Sequence, residues 1–189
     1  KAFTNTVITK EELLSELKNH QLADNFIRGA YFTEDSKGCA VGCSLESVSR
    51  LKGIELGAFD DHEKYEELFN LPESFALLTD KLFEGMSLEK SKRFPVDVIE
   101  AINVGSDLNN IENKFKIIVL KKNLETLESL DDDFGVIKIT NDIIVELSKD
   151  YPDSEVLSAA RSAARSAARS AAYSAADSAE HSAYSAADS

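Results

Sequence analysis

The sequence has few cysteines, no long apolar run and too little positive charge to balance its acids, and each shortage removes a class of protein. No stretch of about 18 apolar residues occurs, so no segment is expected to cross a membrane as a helix. The opening residues, KAFTNTVITKEELL, lack the apolar centre of a secretion signal, and the expected location is cytoplasmic. Two cysteines, Cys39 and Cys43, are too few to staple a scaffold and are expected to remain thiols in a reducing compartment. The 21 Lys and Arg face 34 Asp and Glu, giving a net charge of −13 that falls mostly on residues 1–150. Such a surface repels phosphate backbones, which excludes nucleic acid as a partner of the main body. The familiar glycine-rich phosphate loops are absent, as is any alternation of strand and helix patterns, so the common nucleotide-binding α/β folds are excluded and no cofactor is expected.

What is present points to helices. A chain of 189 residues can bury one core and carry an appendage, and 43% apolar with 29% charged residues is the balance of a folded globule rather than a disordered chain. Thr9 with Glu12 forms a capping box ahead of Leu13, Leu14, Leu17 and Leu22 on one face. The segment NFIRGAYFTEDSKG breaks the period and reads as a loop or a short extended pair. CAVGCSLESVSRLKG then sets Val41, Leu45, Val48 and Leu51 at helical spacing and stops at Gly53.

Further along, Asp60 with Glu63 opens a short helix that Asn70 closes, and Pro72 begins one that carries Phe75, Leu78 and Leu82 to Gly85. Ser87 caps a short segment, and Pro95 restarts it. Ser106 or Asp107 is expected to begin a helix whose core stripe is Ile111, Phe115, Ile118 and Val119. ESLDDDFG is a polar break, and ITNDIIVELSKD a last amphipathic helix before Pro152. The runs KIIVL and GVIKI also fit short strands, since period alone does not separate the two states in so few residues. The expected fold is mainly α: an orthogonal bundle of short helices over residues 1–150, with at most a minor β-hairpin, followed by an Ala/Ser-rich tetrapeptide-repeat helix over residues 151–189.

The repeat itself is regular. Serine recurs every four residues from Ser158 to Ser182, whereas an α-helix turns every 3.6, so each unit advances the row by about 40°. Alanine fills the gaps, and a helix of about 50 Å is expected from Asp153 to Ser185. With few large apolar side chains it cannot nucleate a core, yet small residues let another helix approach closely. This makes the tail a candidate self-association or docking surface, with Arg161, Arg165, Arg169 and Tyr173 as its binding residues; a solvated lone helix is the plain alternative. The three arginines repel one another at i,i+4 spacing and call for an acidic neighbour, the protein's own acidic body being the obvious one.

Cys39 and Cys43 define the other candidate site. Gly38 and Gly42 around them leave the backbone open to close approach by a ligand or partner. A thiol at a helix start is favoured as thiolate, and Cys39 or Cys43 with His62 as base, His20 as second choice and Asp60 or Asp61 as orienting group, would form a nucleophilic site. Core packing of both thiols is the competing reading. Cys39, Cys43 and His62 also supply three zinc-type donors, at spacings unlike the compact structural zinc motifs, so no metal site is assigned.

Taken together, KGCAVGC, then HEKYEELFNLPESFALLTDKLFEGM, then FPVDVIEAINVGSDL, and finally SAAR and SAAY units resemble a family of uncharacterised proteins from phages and bacteria. The resemblance carries no catalytic residue with it. It implies phage association, a place in the host cytoplasm, and a host-interaction or counter-defence role. The first functional expectation is accordingly a non-enzymatic protein that binds a host protein or a small ligand. The second is a cysteine-dependent hydrolase or transferase.

Overall fold

The computed structural model describes residues 1–127 and 135–187, with side chains except at 171 and from 174 onward. The fold is mainly α. Among the described residues the helices are α1 (Lys10–Leu22), α2 (Ala40–Lys52), α3 (Lys64–Phe69), α4 (Glu73–Gly85), α5 (Leu88–Ser91), α6 (Phe94–Ala101), α7 (Ile111–Leu127), α8 (Val136–Leu147) and α9 (Ser154–Ala187). None of them is long and apolar enough to cross a membrane. KIIVL lies in α7 and most of GVIKI in α8, so both strand readings fall to the helix. In place of a hairpin, two isolated bridges join Gly38 to Phe26 and to Phe32. ESLDDDFG lies outside the described residues apart from Gly135.

The chain divides into two compact units, Lys1–Glu112 and Asn113–Ser189. Composition changes after residue 150, where the repeat begins, but contacts change earlier, because α8 packs on α9 and the large core cluster ends at Ile111. Helices α7 and α8 therefore group with the repeat helix rather than with the body.

In the first unit, α2 is the central element, buried from Ala40 through Leu45 and again at Ser47 and Val48. It packs against α1 and α4, while α6 lies on α1 and α3 on α4. Leu13, Leu17, Val41, Leu45 and Phe83 are fully enclosed, each contributing roughly 1.5–3 kcal/mol by removal from water. The Thr9 capping box forms as expected: Thr9 Oγ1 accepts from the Glu12 amide at 3.1 Å, and the Glu12 carboxylate accepts from the Thr9 amide at 2.8 Å. One residue on, the Lys10 ammonium donates to the carbonyls of Glu100 and Ile102, satisfying the end of α6. Gly53 and Asn70 close α2 and α3 in the left-handed conformation.

Helix α8 starts at Val136, three residues ahead of the expected ITNDIIVELSKD, and two helices start later than expected. Helix α3 begins at Lys64, because the Asp61 carboxylate caps the Glu63 amide at 3.1 Å and the preceding residues form a turn. Helix α7 begins at Ile111, because Asp107 accepts from the Asn109 amide and Asn110 takes a positive φ of 57°. Nor do all the expected core positions lie inside: Leu22, Leu51, Ile118 and Val119 are exposed.

In the second unit, α9 turns Leu157 and Ala167 fully inward and Ala160 and Ala164 partly so. Those steps of three, four and three residues follow the 3.6-residue turn, not the four-residue repeat. Two adjacent alanines per unit let the buried line slip from one alanine to the other without meeting serine or arginine.

Candidate functional site

The segment from Asn25 to Cys39 folds back over the start of α2. Gly38 donates to the Asn25 carbonyl and accepts from the Ile27 amide, both at 2.9 Å, and the Cys39 amide donates to the carbonyls of Ala30 and Tyr31. A Cβ at Gly38 or Gly42 would fall on the Tyr31 carbonyl oxygen. The close approach expected at these glycines therefore exists, and its occupant is the backbone of Tyr31 rather than a free ligand or partner.

Cys39 is the N-cap of α2, with its sulfur accepting from the Gly42 amide at 3.4 Å, and Cys43 lies one turn on. The expected helix-start geometry is thus present. Its electrostatic consequence is reversed by burial: Cys39 is 1% exposed and Cys43 0%. Burial pushes the Cys39 thiol up to about 12 against the opposing pull of the Gly42 amide, with a lesser upward push from the nearby Asp80 carboxylate. Cys43 is pushed higher still by burial, then by Cys39 and Glu46. Both groups are thiols at neutral pH.

The histidines serve other partners. His62 Nε2 lies 3.7 Å from Asp80 Oδ2, and its ring stands edge-on to Tyr31. His20 Nε2 is 3.2 Å from the Ser47 hydroxyl and 3.3 Å from Glu46 Oε2, with its ring near those of Phe26 and Phe32. Among the described residues no imidazole bonds to either sulfur, and no group of three or more His, Cys, Asp and Glu side chains is placed to hold a metal ion. Asp61 is engaged in capping the turn before α3.

At the start of α2 lies an open cleft of about 210 Å³, lined by Gly29, Ala30, Tyr31, Cys39, Asp80 and Glu84. Both oxygens of Glu84 accept from the Gly29 amide, at 3.1 and 3.0 Å, and the Tyr31 hydroxyl reaches Asp80 at 3.4 Å. Next to them Arg28 donates to the Met86 carbonyl at 2.7 Å. These polar groups clamp the 28–31 loop to α4, and Cys39, although it lines the cleft, keeps only 1% of its surface exposed. Read from sequence alone, Tyr31 has no role, and Asp80 and Glu84 fall with Glu63, Glu66 and Glu67 in a hydrophilic face without further purpose; the available signal was the i,i+4 carboxylate pair on α4 beside its apolar stripe.

The second unit carries a different kind of site. Helices α7, α8 and α9 enclose a groove of about 340 Å³ whose walls are Phe115, Val119, Leu120, Ile143 and Leu147, with Lys116 and Arg161 at its edge. Elsewhere on the same helices large side chains face solvent, Ile118 and Val145 each at 65% exposure and Tyr173 on α9 at 78%. Arg165 and Arg169 continue the exposed row begun by Arg161. Comparison with family models, with curated proteins and with solved structures returned no match.

Proposed function

We propose that the protein is a non-enzymatic interaction module: the first unit is a stable body and the second carries the contact surface. The observation that supports this reading best is the set of large apolar side chains left in water on the second unit, Ile118, Val145 and Val156. They accompany the apolar groove walled by Phe115, Val119, Leu120, Ile143 and Leu147, and an apolar groove rimmed by charged residues marks a contact site. The resemblance to phage and bacterial proteins directs the search for the partner to host proteins, with host interaction or counter-defence as the biological setting. Self-association through α9 belongs to the same reading.

Cysteine-dependent hydrolysis or transfer gains nothing from the geometry, since both sulfurs are buried and protonated and His62 is turned to Asp80. Cross-linking followed by mass spectrometry in bacterial cells separates the two. The full chain and its Cys39→Ala/Cys43→Ala variant are expected to capture the same protein, and Ile118→Glu/Val145→Glu to lose it. Loss of the biological effect in a folded cysteine variant, with capture unchanged by the glutamates, would overturn the proposal.

A further inference from the structure

Resting on the interaction reading above, we infer that the groove of the second unit takes one face of an acidic amphipathic helix from a partner protein.

Chemistry argues for a helix as the occupant. The walls are apolar side chains of α7 and α8, and an extended peptide laid between them would leave its own amides and carbonyls unpaired. A helix satisfies its backbone internally and presents only side chains. The facing rows, Phe115 to Val119 and Ile143 to Leu147, are each one helical turn of about 6 Å, the interval that i and i+4 residues of an incoming helix match.

Charge argues for acidity. The chain as a whole is strongly negative, yet Lys116 and Arg161 border the groove and Arg165 and Arg169 extend the row along α9. Among the described residues, none of these three arginines is paired with a carboxylate. Among the described residues no carboxylate pair relieves their mutual repulsion at i,i+4 spacing, and Asp or Glu flanking an incoming apolar ridge would relieve it. A second copy offering its own arginine row would meet like charge here, which disfavours it as the occupant.

The test uses the full chain and two fluorescein-labelled, lactam-stapled helical peptides with the same Leu ridge at i, i+4 and i+7, one flanked by Glu and the other by Lys. Fluorescence anisotropy is expected to show the Glu peptide binding at least about tenfold more tightly, a difference near 1.4 kcal/mol, and weakening as salt rises. Arg161→Glu is expected to reverse the preference, and Val119→Asp to abolish binding of both peptides. Both positions are exposed, so circular dichroism should stay unchanged. Equal affinity for the two peptides, no binding of either, or binding indifferent to Val119→Asp would overturn the inference. So would a concentration-dependent dimer in sedimentation that Val119→Asp dissolves, since the groove would then hold a second copy. Continued capture of a cellular partner that depends on Ile118 and Val145, without peptide binding, would remove the groove and leave the interaction reading standing.

Discussion

Gly42 shows how much one missing methyl group can decide. The Tyr31 carbonyl occupies the space its Cβ would need, and the obstructing atom belongs to backbone that is hydrogen-bonded to Cys39. Gly42→Ala is therefore expected to destabilise the first unit by about 3 kcal/mol. Gly85, with open space around it and an ordinary φ, should accept alanine with a gain of about 0.5 kcal/mol; urea denaturation of both variants checks the contrast. The thiols beneath Tyr31 give a pH prediction with a definite sign. Unfolded, they ionise near about pH 8.5, whereas burial keeps them protonated in the folded chain. Above that pH the unfolded state sheds protons that the folded state retains. Stability is thus complete below about pH 8.5 and falls as pH climbs toward the folded values, by about 1.4 kcal/mol per pH unit for each thiol. Urea midpoints between pH 7 and 10 should fall more steeply for the native chain than for Cys39→Ala/Cys43→Ala.

At the level of elements, Thr9→Ala removes one half of a reciprocal cap and should cost about 1 kcal/mol, with the loss visible as a lower thermal midpoint. The features legible in the sequence were those encoded by neighbours in the chain: this capping box, the Gly53 and Asn70 stops, the Pro72 start, and α9 itself. The misplaced starts of α3 and α7 have a local cause too, but one of turn chemistry, in which Asp61 and Asp107 bond to amides two residues on and hold the chain out of the helix. Burial was harder to read. The spacing of Ile118 and Val119 with Phe115 fits an inward stripe, yet which face is covered depends on α8 and α9, and no pattern within α7 records that. The same limit applies to Cys39: position at a helix start is local information, while its burial beside Tyr31, Asp80 and Glu84 comes from segments far apart in the chain. Gly38 and Gly42 correctly announced a close approach but could not identify what approaches.

For the molecule as a whole, every member of the large core cluster falls between Ala2 and Ile111. A chain ending at Glu112 should therefore fold by itself and unfold in one cooperative urea transition near that of the full protein; a broad or absent transition would show that the second unit is needed for the first. The second unit is built on another principle, with helix α9 running well past the reach of α8, which at twelve residues is about 18 Å long. Because serine and arginine return every fourth residue on a helix that closes every 3.6, their rows trace a screw that completes a revolution in about 54 Å. Inserting or deleting one tetrapeptide would thus act as a dial, turning everything downstream by about 40° and shifting it by about 6 Å without altering its chemistry. Variation in repeat number could then re-aim the far end of the rod while the alanine line against α8 stays in register.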